Sequence, residues 1–197
     1  MAVKTYGQTY EASRRGTFQE AYQYVSNNAG DRMQGGGAGT IFKGNGGNDV
    51  IYGRGGDDVL IGGRGNDVLV GGTEADSFVF NTALGAGNVD RISDFSRRQK
   101  DKIVLDDKVF VGLVLTPLAN PNVVNNDLGV ITKQVGGLQT EAFQLGTTAL
   151  DADDRVFYDR ASGALYFDVD GTGAAAAIKF AQVKKGLLLT ASDFLVC

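Results

Sequence analysis

Between Gly35 and Val79 the chain repeats itself every nine residues, in five units: GGGAGTIFK, GNGGNDVIY, GRGGDDVLI, GGRGNDVLV and GGTEADSFV. The first residue of every unit is glycine. The sixth is aspartate in four of the five, at Asp49, Asp58, Asp67 and Asp76, and the eighth is always apolar: Phe42, Ile51, Leu60, Leu69 and Phe78. Glycine takes the backbone angles of tight turns without steric cost, and the β-branched, aromatic and apolar residues that follow the aspartate suit a strand. Each unit therefore reads as one turn plus one short strand, and two units make one coil of a parallel solenoid in which unit n lies on unit n+2. A Gly-rich linker has no reason to place an apolar residue at every ninth position.

Stacking decides which carboxylates meet. Asp49 should lie over Asp67 and Asp58 over Asp76, while Thr40 occupies the sixth place opposite Asp58 and should leave that layer weak or empty. A hard cation such as calcium takes roughly six to eight oxygen ligands in a flexible shell. Two carboxylates and four backbone carbonyls fill such a shell, and the nonapeptide is an already known calcium-binding β-helix pattern. The candidate metal residues are Asp49, Asp58, Asp67 and Asp76, together with Asn45, Gly47, Arg54, Gly56, Gly63 and Gly65 in the loops. They would hold two to about four Ca2+ ions. Asp58→Ala is expected to harm binding more than Asp49→Ala, because Asp58 faces two layers. Glu74 stands where the middle units have glycine and reads as the edge of the array, with an extra-ligand role as the alternative. Without the ion, the stacked charges should leave the roll partly or wholly unfolded, since binding energy is then folding energy.

These repeats resemble the RTX family, the hemolysin-type calcium-binding repeats of secreted bacterial proteins. DRISDFSRRQKDKIVL, DADDRVFYDRASGALYFDVDGTGAAAAIKFAQV and LLLTASDFLV resemble the segments that follow the β-roll in serralysin-type C-terminal domains. The resemblance implies an all-β fold: a calcium-binding parallel β-roll of two short parallel sheets, extended by a C-terminal antiparallel, sandwich-like part. It implies a secreted protein whose C-terminal Asp193, Phe194, Leu195 and Val196 form an uncleaved export signal read by a type I ABC exporter; the competing structural reading is an edge strand. It also implies folding on calcium outside the cell. Asp90, Asp94 and Asp101 match positions that cap the roll, as ligands or as turn residues.

The rest of the composition narrows the function further. The 197 residues contain no histidine, which excludes an HExxH zinc helix, a Ser-His-Asp triad and a Cys-His pair. The expectation is a non-enzymatic domain. The alternative reading is an extracellular adhesion or polysaccharide-binding module, with Tyr6, Tyr10, Tyr22 and Tyr24 as the surface to inspect. A net charge of −4 gives no case for nucleic acid, and no apolar run is long enough for membrane insertion. Met1 to Asn28 lacks the apolar stretch of a signal peptide, and the single cysteine, Cys197, has no partner for an internal disulfide.

Three regions follow. Residues 1–34 should form a segment packing on the roll, with one short N-terminal helix begun by the Thr17 to Glu20 capping box and carrying Phe18, Ala21, Tyr22 and Val25 on one face. Residues 35–79 form the roll, and 80–197 a capping region. The outward seventh and ninth positions (Val50, Tyr52, Val59, Ile61, Val68, Val70 and Val79) are apolar, so both outer faces should be covered. Val156 to Val169 reads as a hairpin turning at Ser162-Gly163, and Asp168 to Gly173 as a hairpin turn with a calcium-loop look. Pro117 to Asn126 reads as an inserted loop.

Overall fold

The computed structural model of the chain describes residues 8–10, 21–117 and 135–197. Among the described residues seventeen short strands form two sheets. Those of the roll climb one side and then the other. β2 (Ala21–Val25), β4 (Thr40–Lys43), β6 (Val59–Ile61), β8 (Ser77–Phe80) and β10 (Lys102–Leu105) run parallel in the nine-stranded sheet. β3 (Arg32–Gln34), β5 (Val50–Gly55), β7 (Val68–Thr73) and β9 (Asp90–Ile92) run parallel in the eight-stranded one. Parallel pairing therefore continues beyond the Gly35–Val79 array in both directions.

The eighth positions point inward as the period requires. Met33, Ile51, Leu69 and Ile92 form one buried column, each in register with the next. Phe42, Leu60, Phe78, Ile103 and Phe194 form the other. The ends of the two sheets then turn antiparallel. β14 (Val156–Asp159), β15 (Ala164–Phe167) and β16 (Ile178–Gln182) form a meander, turning at Gly163 with φ 84°, and β16 joins the eight-stranded sheet beside β9. β17 (Phe194–Val196) joins the nine-stranded sheet beside β10, and β11 (Leu115–Pro117) and β12 (Gly136–Leu138) follow it. Edge-to-face phenylalanines fill the core between these outer parts: Phe80–Phe180 with centroids 5.2 Å apart, and Phe110 against Phe167 and Phe180 at 5.1 Å.

Three expectations need correction. Ala21–Val25 is a strand, paired in register with β4 (Tyr22↔Thr40, Tyr24↔Phe42), and not the C-terminal part of a helix. Its apolar spacing fits the repeat as well as a helix, because Tyr24 falls one coil before Phe42, and sheet pairing decides between them. The Thr17 to Glu20 capping box, Tyr6 and the side chains of Tyr10, Tyr22 and Tyr24 lie outside the described residues, as does most of the Pro117 to Asn126 loop. Second, β17 is no edge strand: it lies between β10 and β12. Third, the outer faces differ. On the nine-stranded sheet Ile41, Val59, Ile61, Val79, Val104, Val135, Leu195 and Cys197 form a second buried cluster. On the eight-stranded sheet Val50, Tyr52, Val68 and Val70 stay half-buried.

Candidate metal centre

Each roll aspartate stands immediately before a strand, at the end of a turn, and the parallel registers stack these turns into two ladders. On one side Asp31 N–H donates to Asp49 Oδ1 (2.6 Å), Asp49 N–H to Asp67 Oδ1 (2.7 Å) and Asp67 N–H to Asp90 Oδ1 (3.1 Å). On the other, Thr40 N–H donates to Asp58 Oδ1 (2.8 Å), Asp58 N–H to Asp76 Oδ1 (3.0 Å) and Asp76 N–H to Asp101 Oδ1 (3.2 Å). Asp49 thus lies over Asp67, and Asp58 over Asp76. One oxygen of each carboxylate is used by the backbone of the coil beneath. The other is not: Oδ2 of Asp31, Asp49, Asp58, Asp67 and Asp76 is buried without a hydrogen-bond partner. The last four side chains belong to residues only 1% exposed. Unpaired buried carboxylate oxygens are costly, and their recurrence at one place in every coil marks a built feature.

The space around these oxygens is kept by glycine. A Cβ on Gly44, Gly53, Gly62 or Gly71 would run into the Oδ2 of the aspartate five residues later. The second and fourth loop positions take left-handed angles: Asn45 (φ 63°), Arg54 (82°), Gly63 (101°) and Gly72 (111°) in the second, Gly47 (101°), Gly56 (87°), Gly65 (128°) and Glu74 (79°) in the fourth. The candidate loop residues are therefore the ones that bend the turns. Their carbonyls have unequal employment. The Asn45 carbonyl accepts Arg64 N–H, and those of Arg54 and Gly63 accept the hydroxyls of Thr73 and Thr82. Those of Gly47, Gly56 and Gly65 meet no donor among the described residues. Among the described residues no three acidic, histidine or cysteine side chains gather in one place; the groups offered at each layer are a pair of carboxylates and the turn carbonyls. An orphaned pair of carboxylates in a glycine-lined turn with free carbonyls fits calcium's preference for oxygen.

Electrostatics point the same way. In the metal-free protein burial pushes the carboxyls of Asp49 and Asp58 up to about 7 and that of Asp76 to about 8. Asp67 also rises by burial. Asp90 rises to about 8, first through burial and then through the charge of Asp67, and burial takes Asp101 to about 6. Burial, with the charge of neighbouring carboxylates, makes these groups hold protons more tightly than usual; the single ion pair among the described residues is Arg97–Asp193, far along the chain.

One feature of the ladders was missed at the sequence level. Asp31 extends the first ladder by a coil; its segment, SNNAGDRMQ, has aspartate at the sixth place and Met33 at the eighth but opens with serine. Asp49 is thus flanked by two carboxylates, whereas Asp58 has Thr40 on one side, which removes the reason for ranking Asp58→Ala above Asp49→Ala. The far ends close differently. Asp94 accepts the N–H groups of Gly71 and Gly72, Asn88 Oδ1 accepts that of Gly65, and Asp101 uses Oδ1 for Asp76 and Oδ2 for Ser96 N–H. Side chains there take the place of a further turn. Glu74 is exposed at the array's edge. Asp193, Phe194, Leu195 and Val196 are all buried; Asp193 Oδ1 pairs with Arg97 Nε (2.9 Å) and its Oδ2 accepts Thr190 N–H.

The RTX calcium-binding nonapeptide repeat (four copies) matches residues 34–69 and 43–78. No curated protein sequence matches the chain. Among solved structures, the solution structure of the AlgE6R3 subunit from the Azotobacter vinelandii mannuronan C5-epimerase is similar in part. It shares 23% identity and a TM-score of 0.46, over 86% of this chain and 80% of that one. No helix of the described residues is long and apolar enough to cross a membrane. The turns that carry the orphaned carboxylates of Asp49, Asp58, Asp67 and Asp76 are the residues that the RTX calcium-binding nonapeptide repeat matches.

Proposed function

We propose that this chain is a non-catalytic calcium-binding domain that folds when calcium fills its turns outside the cell, and that its C-terminus carries a type I export signal. The observation that carries the calcium part is the row of buried carboxylate oxygens without partners. Asp49 with Asp67 and Asp58 with Asp76 would supply carboxylates, and Gly47, Gly56 and Gly65 carbonyls. The ion would supply the positive charge that no side chain among the described residues provides. At low calcium the turns repel and the chain stays loose; at millimolar calcium binding becomes folding energy. Circular dichroism tests this: strand signal should rise with calcium and fall with chelator, and a chain fully folded in excess chelator contradicts it.

The export part rests on the resemblance of the C-terminal segments. Asp193 to Val196 are buried in the folded sheet, so an exporter would have to read them before folding, which suits a chain that waits for calcium. Deleting them also removes a central strand. The cleaner test places residues 150–197 behind an unrelated passenger in a host with a type I exporter. Passenger in the medium supports the signal; passenger retained in the cell contradicts it.

A polysaccharide-binding role is the second reading, favoured by one surface. On the outer face of the eight-stranded sheet Arg32 lies over the Tyr52 ring at 4.5 Å, with exposed Arg54 and Arg91 near in the sheet. Salt-sensitive binding of an anionic polysaccharide, weakened by Arg32→Ala with Tyr52→Ala, supports it; equal binding of wild type and variant contradicts it.

A further inference from the structure

The first ladder reaches past the matched repeats, and its extra rung repeats the hydrogen bond and the unpartnered carboxylate oxygen of the others. β3 stacks on β5 in register, and the Asp31 N–H to Asp49 Oδ1 bond repeats the one from Asp49 to Asp67. Asp31 Oδ2 is buried without a partner, as is the Oδ2 of the 1% exposed Asp49 that faces the same turns. The layer is closed: a Cβ on Gly30 would come 2.7 Å from the Asn48 carbonyl oxygen, and one on Gly47 would run into the Ala29 backbone. The Ser26 hydroxyl donates to the Gly44 carbonyl and Asn45 Nδ2 to the Ser26 carbonyl, which pins the two turns together. Among the described residues no ion pair reaches either carboxylate.

We propose that Asp31 and Asp49 form a third site for a hard divalent cation, in a segment that the repeat pattern does not match. This rests on the calcium reading of the repeats. The equivalent layer on the other side does not qualify. Thr40 brings no carboxylate, and its hydroxyl is spent on the Ala38 carbonyl. The far ends do not qualify either, since Asp101 has both oxygens hydrogen-bonded and Asn88 and Asp94 fill the place of the next turn. Three orphaned pairs remain: Asp31/Asp49, Asp49/Asp67 and Asp58/Asp76. Asn27 and Ala29, the second and fourth residues of the 26–31 turn, are not left-handed. This turn presents fewer carbonyls inward, and its site is the weakest of the three.

Equilibrium dialysis of the full chain against millimolar calcium counts the ions. The wild type should bind three, Asp31→Asn and Asp58→Asn two each, and Asp49→Asn one. An Asp31→Asn chain that still binds as many ions as wild type overturns the third site while leaving the repeat sites standing. A wild type that binds none, or an Asp58→Asn chain that loses none, overturns the calcium reading itself. Crystals of the unsubstituted chain grown with calcium give a readout free of folding effects. An anomalous calcium peak against both Asp31 and Asp49 supports the site, and peaks at the other two pairs alone overturn it.

Discussion

Asp76 and Asp193 are both buried aspartates standing one residue before a strand of the same sheet, on either side of β10. Asp193 is complete within the protein: Arg97 pairs with one oxygen and the Thr190 amide with the other. Asp76 has one oxygen on the Asp58 amide and one on nothing. Between them Asp101 has two amides. Along one sheet the carboxylates thus pass from one with an unpartnered oxygen to two whose oxygens are both engaged. The roll aspartates each leave one buried oxygen unpartnered, whereas Asp101 and Asp193, on the same sheet, have both oxygens engaged.

The largest expected effect is calcium removal. At pH 8 a chelator should abolish amide-exchange protection first at Ile51, Leu60, Leu69 and Phe78 and last in the β14–β15–β16 meander. Simultaneous loss everywhere would erase the distinction between the regions. A pair of substitutions should differ in sign. Asp76→Asn removes an unpaired buried charge, so it should stabilise the metal-free chain and destabilise the calcium-loaded one. Asp193→Asn should destabilise both, by about 1–2 kcal/mol, the modest size reflecting an arginine that is partly in solvent. Urea titrations with and without calcium read both.

Next comes pH. The Asp49, Asp58 and Asp76 carboxyls titrate at about 7, 7 and 8 in the folded metal-free chain, against an ordinary 3.8. A raised carboxyl holds more protons folded than unfolded, so its contribution is full below pH 4 and is lost as pH climbs through 7 to 8. In chelator the thermal midpoint should therefore fall from pH 5 to pH 8. Calcium competes with those protons, so its affinity should rise over the same window. A metal-free midpoint that increases toward pH 8 would contradict the burial of these groups. The smallest effect is local: Arg97→Ala should cost about 1 kcal/mol, alike with and without calcium.

How much was legible follows from spacing. Carboxylates and core residues 18 positions apart announce themselves, as Asp49–Asp67 and Leu60–Phe78 do. The next rungs are 23 residues on at Asp90 and 25 at Asp101. The loops between them break the period, so their aspartates read equally well as turn residues. Asp31 kept the period but lost the opening glycine. Ala21–Val25 carried a helical apolar pattern and a strand's register at once, and only pairing with β4 separates the two. The unequal outer faces were not readable, since both present apolar residues at the same repeat positions, and what differs is how deeply each sheet face is buried in the folded chain.

The most direct test of the account is the thermal midpoint of the full chain at pH 8, in millimolar calcium and in chelator. Three ions at a hundredfold excess over Kd contribute about 2.7 kcal/mol each, and a chain of this size gains roughly 2–4 °C per kcal/mol. The midpoint should be about 15–30 °C higher with calcium. The same midpoint in both solutions would contradict it.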